Sequence, residues 1–140
     1  MRCVLDTNVV VAGLRSPTGA SAALISAALG RRFVVLLSVA LALEYEAICS
    51  HPSQRIVSGL SEEQVRTVVS ALCGVAQPVI PRFLWRPQLR DSTDEMVLET
   101  AINGNADALV TFNVRDYGDV PRRFGIELVN PRDAWRRIRP

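Results

Sequence analysis

At 140 residues, the chain has room for one domain with a sizeable core. Its hydrophobic share is 49%, yet no apolar run approaches the ~20 residues that a membrane-spanning helix needs. A net charge of only +2 excludes a molecule that traps polyanions by bulk charge alone.

All 16 basic residues are Arg, for which codon bias in a GC-rich genome is the simpler account. The functional account is that a planar guanidinium suits phosphate and carboxylate better than an ammonium does. Cys3, Cys49 and Cys73 are odd in number and form no CxxC pair, so they are expected as buried small hydrophobes in a reducing compartment. His51 is the only histidine, which argues against zinc. Without a secretory pattern around Met1, a cytoplasmic location is expected.

Val4-Leu5-Asp6-Thr7-Asn8 reads as a buried strand that delivers an acid and two polar residues at its carboxyl end. The short apolar stretch Asn8 to Leu14 is broken by Ser16-Pro17-Thr18-Gly19. Ser21 is expected to cap a helix ending at Leu29-Gly30. Phe33 to Leu37 is a continuous apolar strand. Ser38 then caps a helix to about Cys49, closed by His51-Pro52.

Ser61-Glu62-Glu63-Gln64 is a capping box that opens an amphipathic helix ending near Gly74. A strand is expected over Val75 to Ile80, followed by a loop that mixes Arg82 and Arg86 with Phe83 and Trp85. Asp91-Ser92-Thr93-Asp94 opens the next helix, which Asn103-Gly104 ends. A strand at Ala108 to Thr111, a polar loop from Phe112 to Gly118 and a strand at Ile126 to Val129 follow. Asn130-Pro131 starts the last helix. Alternation of strands and helices implies a parallel sheet covered on both faces, as one domain over residues 1–140.

In such a sheet, ligands gather outside the carboxyl ends of the strands. Asp6 arrives there directly, and Asp94 arrives at a helix start, where it could equally serve as the N3 partner of the Asp91 cap. Glu44 interrupts a mostly apolar helix, and buried Glu is rare unless paired or bound to a cation. Glu46 competes with it for that inward role. Asn113 and Asp116 follow the fourth strand, where an ordinary polar turn is the simpler account. Together they would make an all-oxygen cluster, which selects Mg²⁺ or Mn²⁺ and can drive in-line displacement at a phosphodiester.

With those residues in view, the chain resembles a PIN domain, of the small VapC-like toxin type of prokaryotic toxin–antitoxin pairs. The marks are Val4-Leu5-Asp6-Thr7-Asn8, Ser38 followed by Glu44, Leu89-Arg90-Asp91-Ser92-Thr93-Asp94-Glu95, and Ala106-Asp107-Ala108-Leu109-Val110-Thr111-Phe112-Asn113-Val114-Arg115-Asp116-Tyr117. The resemblance implies a three-layer α/β/α sandwich with a central parallel sheet, Rossmann-like in plan. It also implies a metal-dependent ribonuclease restrained by a protein antitoxin, with a homodimer as the expected assembly.

Carried over by position, the resemblance makes Asp6, Glu44 and Asp94 the acidic residues. Many relatives have Thr-x-Asp after the strand where Asn113 stands here, so either Asn113 or Asp116 completes the site. Thr7, Asn8 and Thr111 are implied as supports of the ligands or phosphate-facing groups. Arg82, Arg86 and Arg115 are candidate RNA backbone contacts, and Phe83 and Trp85 candidate stacking surfaces.

Three alternatives differ in class. One is an RNA-processing nuclease without an antitoxin. Another is a PIN-fold module that binds RNA or protein without cutting. A phosphoacceptor receiver domain also clusters acids at a sheet edge, but the chain has no Lys to contact its phosphate.

Overall fold

Cys3, Val4 and Leu5 are inaccessible to solvent, as are Ala108, Leu109 and Val110. Strands without an exposed face belong in the middle of a sheet covered on both sides. A computed structural model describes residues 1–82, 89 and 91–140 and shows that arrangement. Phe83, Trp85 and Arg86, expected at the RNA surface, lie outside the described residues.

The first half comprises β1 (Arg2–Leu5), α1 (Thr7–Arg15), α2 (Ala20–Leu29), β2 (Val34–Leu37), α3 (Val39–Ser50), α4 (Pro52–Ser58) and α5 (Glu62–Val75). The second comprises β3 (Gln77–Pro78), α6 (Ser92–Asn103), β4 (Ala108–Val110), α7 (Val114–Tyr117), α8 (Val120–Arg123), β5 (Glu127–Val129) and α9 (Pro131–Ile138). The sheet is parallel in the order β3-β2-β1-β4-β5. Connections leave β1 toward β2 and β3 on one side, and β4 and β5 lie on the other. The switch point therefore falls between the carboxyl ends of β1 and β4, where a crevice opens.

Several local expectations hold. Ser61 and Gln64 form the reciprocal capping box of α5, and the side chain of Asn130 caps α9 with Pro131 next to it. Four are corrected. Gly19, not Ser21, stands at the N-cap of α2, and Ser21 is buried inside the helix. The strand expected over Val75 to Ile80 shrinks to Gln77–Pro78, because α5 runs through Gly74 to Val75 and Pro78 has no N–H to donate. Pro78 is tolerated because β3 is an edge strand.

His51-Pro52 closes α3 but also starts α4, with Pro52 at its first position, His51 capping Ser53 N–H, and Gly59 at φ 75° ending it. The expected polar loop after β4 holds the short helix α7. Cys3 and Cys49 are buried as expected, whereas Cys73 is exposed. Among the described residues no single helix is long and apolar enough to cross a membrane.

The helix that leaves Asp6 is held from behind by α2. A Cβ added at Gly13 would stand 2.4 Å from Ile25 Cδ1 and 3.3 Å from the Ser21 backbone. Gly13→Val is therefore expected to cost ~1–3 kcal/mol through overpacking, read as a lower midpoint in urea at unchanged slope.

Candidate active site

Asp6 follows β1 directly, and its N–H bonds to the Val110 carbonyl at 2.9 Å. That bond ties the carboxyl ends of β1 and β4 together. Thr111, the residue after β4, donates from Oγ1 to Asp6 Oδ2 at 2.7 Å. Asn8 reaches the same pair from the first turn of α1, with Nδ2 3.3 Å from Thr111 Oγ1 and 3.5 Å from Asp6 Oδ2. Asp6 is 3% exposed and Thr111 0%. The acid at the switch point is thus buried and held by named donors.

Asp94 enters from the start of α6. The Asp91 side chain caps that helix, accepting from Thr93 N–H at 2.7 Å and Asp94 N–H at 3.4 Å. Asp94 itself turns toward Tyr117, whose hydroxyl donates to Asp6 Oδ2 at 2.9 Å and lies 3.3 Å from Asp94 Oδ1. One phenol therefore links the two carboxyl groups. Tyr117 is fully buried because α7 turns it inward, while its neighbour Asp116 stays exposed.

Glu44 is positioned by its neighbours on α3. The Tyr45 hydroxyl donates to the Leu5 carbonyl, one residue before Asp6. Ser38, the N-cap of α3, meets Thr100 of α6 at 3.0 Å through buried hydroxyls. Those two contacts hold α3 against both β1 and α6. Glu44 is half-buried and lines the cleft. Glu46 looks elsewhere and meets Arg66 at 3.6 Å.

A cleft of about 530 Å³ collects Asp6, Asn8, Glu44, Asp91, Asp94 and Asn113, together with Thr7 and Arg15. Thr111 stands behind its wall as the Asp6 donor. Asp116 and Arg115 are exposed on α7 and do not line it. Arg82 lines a different cavity, beside Asn103 and Gly104 at the far end of α6. The residue pattern gave no role to Tyr117, Tyr45, Arg15 or Gln54, and gave Asp91 only that of a helix cap. Tyr117 sat in the quoted motif, but a phenol one place after an acid gives no sign of which residue turns inward.

Electrostatics mark the same place. Burial raises the Asp6 carboxyl above its ordinary range, partly offset by the Thr111 and Tyr117 donors. Asp94 is pushed up to about 6, first by burial and then by the charges of Asp6 and Asp91. Burial beside these two acids also pushes the Tyr117 phenol up, so it remains a donor.

Carboxylates held together at such a cost fit a cation. Among the described residues all three side-chain donors to Asp6 reach Oδ2, and the backbone N–H groups of Thr7 and Asn8 also bond to the carboxyl group. The Thr7 hydroxyl and the Gln54 side-chain carbonyl oxygen, on residues that line the cleft, are buried without partners among the described residues. The donors are oxygens of carboxylate, amide and hydroxyl, the set that Mg²⁺ and Mn²⁺ take. Among the described residues no three acid, His or Cys side chains form a ready-made cage. Mg²⁺ does not need one, since it is commonly held by one or two carboxylates and keeps several waters.

The sequence model of the PIN domain family matches residues 2–115. No curated protein matches the sequence. In structure the chain is similar to one in the crystal structure of VapBC2 from Rickettsia felis bound to a DNA fragment from their promoter. That similarity has a TM-score of 0.61 at 15% identity and covers 93% of this chain and 98% of the other.

Proposed function

The chain belongs to the PIN domain family, and from that premise we propose that it is a Mg²⁺- or Mn²⁺-dependent endoribonuclease, the toxin of a toxin–antitoxin pair. The observation that carries the reading is the pair of carboxyl groups, Asp6 and Asp94, joined by Tyr117 in a cleft at the switch point of the sheet. Burial penalises two such charged acids more than their hydrogen-bond donors offset, whereas a divalent cation would stabilise both.

In this reading Asp6 and Asp94 would hold the cation, and Glu44, on the wall of the same cleft, would orient the attacking water and take its proton. The cation would supply charge neutralisation at the phosphodiester and a more acidic water. Thr111, Asn8 and Tyr117 keep the Asp6 carboxylate in one orientation. Thr7 faces the phosphate. Asn113, on the cleft wall, offers a neutral carbonyl or holds a water, and Asp116 adds negative charge felt at Asp94. Arg115, exposed on α7 outside the cleft wall, is a candidate contact to the RNA backbone. The partner is a protein antitoxin, the assembly a homodimer and the setting the cytoplasm. The structural similarity to the VapBC2 complex supports the toxin role.

The test is cleavage of a labelled RNA by the purified chain. Mg²⁺ or Mn²⁺ restores activity after EDTA, and Asp6→Asn abolishes it. Cleavage that persists in excess EDTA overturns the reading. A second reading, a module that binds without cutting, draws on the lack of a preformed three-residue metal group among the described residues. Calorimetric titration separates the two. Mn²⁺ binding that disappears in Asp6→Asn supports the nuclease, and no binding favours the module.

A further inference from the structure

One face of α1 forms a floor that leads away from the acids. Thr7, Asn8, Val11, Ala12 and Arg15 all line the cleft, at the spacing of a single helical stripe. At 1.5 Å per residue, Arg15 lies about 12 Å along the axis from Thr7. Arg15 is exposed in the last turn of α1, where the helix dipole favours a cation. Four acids line the same cleft, yet Arg15 forms no ion pair among the described residues. It is a guanidinium on an acid-lined surface with no acid within ion-pair distance among the described residues.

Gln54, from the start of α4, lies beside it. The two residues line a common small recess with Val11 and Cys49, and Gln54 also faces the main cleft. Its side-chain oxygen is buried and unpartnered among the described residues. Among the described residues an unpaired donor fork and an unpaired acceptor thus sit together, about 12 Å along the stripe from Thr7.

We propose that Arg15 and Gln54 form a subsite for the nucleotide flanking the scissile bond, in which Arg15 grips its phosphate and Gln54 accepts a hydrogen bond from its ribose 2′-hydroxyl. The proposal rests on the ribonuclease reading above and adds to it the path of the strand, along α1. The chemistry is complementary in each part. A guanidinium binds phosphate with two parallel hydrogen bonds, and the 2′-hydroxyl is the group that separates RNA from DNA. A strand bridging the two ends neutralises Arg15 at one end while its scissile phosphate meets the acid-held cation at the other.

Binding of a fluorescent oligouridylate to the full chain in EDTA, by anisotropy across a salt series, tests the Arg15 contact without cleavage. Arg15→Gln is expected to weaken binding several-fold and to reduce the slope of log affinity against log salt by about 0.7, one phosphate contact. An unchanged affinity and slope overturns it. So does a loss seen with polyglutamate and not with oligouridylate, which would assign Arg15 to an acidic protein segment.

Gln54→Leu is expected to narrow the preference for oligouridylate over oligodeoxyuridylate, and an unchanged ratio overturns the ribose contact. With Mg²⁺, Arg15→Gln raises KM for oligouridylate and leaves kcat near that of the wild type. Absence of metal-dependent cleavage in the wild type would instead count against the nuclease reading, while the anisotropy arm still decides the subsite. Far-ultraviolet circular dichroism of both variants checks that they fold.

Discussion

Asp94→Asn should lower RNA cleavage by at least about a hundredfold, since loss of ~3 kcal/mol of charge stabilisation at the transition state is two powers of ten. The same variant should be more stable than the wild type at pH 8 without divalent ions. The sign follows from the carboxyl group. Its folded-state value is about 6 against an ordinary 3.8, raised by burial and by Asp6 and Asp91. The folded protein therefore holds the Asp94 proton more tightly than the unfolded chain does.

Below about pH 4, where both states are protonated, the group neither helps nor harms. As pH rises through about 6 the wild type loses stability relative to the Asn variant, and the deficit is constant above that. Thermal melts from pH 3.5 to 8 should show the two curves converging on the acid side. Adding Mg²⁺ at a hundred times its Kd should stabilise the wild type by ~2.7 kcal/mol and the variant far less. Parallel curves at every pH, or equal metal shifts, would rule out Asp94 as the strained ligand.

Tyr117→Phe is the second large effect. The substitution keeps the ring and removes one hydroxyl, the donor 2.9 Å from Asp6 and 3.3 Å from Asp94. A buried carboxyl group left short of a donor costs ~1–3 kcal/mol, and the variant should unfold at correspondingly lower urea at pH 8. That hydrogen bond lowers the pKa of both acids, so its loss raises them. Protons then compete better with the metal. Metal affinity or activity should fall about 10- to 100-fold, as for other groups that orient a metal ligand. The acid limb of the activity profile should move to higher pH. An unshifted limb would leave Tyr117 as a core residue only. Thr111→Val removes a different donor to the same oxygen and should move the limb in the same direction.

Much of this site was legible before any coordinates. A strand buried on both faces cannot hide its last residue from the sheet edge, so Asp6 had to emerge where ligands gather. The Asp91 cap and the capping box at Ser61 follow from backbone donors that every helix start must satisfy. Both appear as expected. Glu44 stood out because an acid amid apolar helix residues needs a reason, and its neighbour Tyr45 supplies the anchor that aims α3 at β1.

The rest depended on rotation and distance, which residue type and local spacing do not encode. Asp94 had two readings, cap partner or ligand, and only the position of Tyr117 shows where its carboxyl group turns. Asp116 and Tyr117 are adjacent on one short helix, about 100° apart around its axis, and only the meeting of Tyr117 with Asp6 and Asp94 shows which points inward. Arg15 and Gln54 come from separate helices, and nothing in either stretch of sequence says that they meet. Burial patterns and capping groups are local or periodic, and the chain specified them directly. The link between Asp6 and Asp94 is a contact between residues 88 apart (94 minus 6), made through a third residue, and only the assembled sheet brings all three to one place.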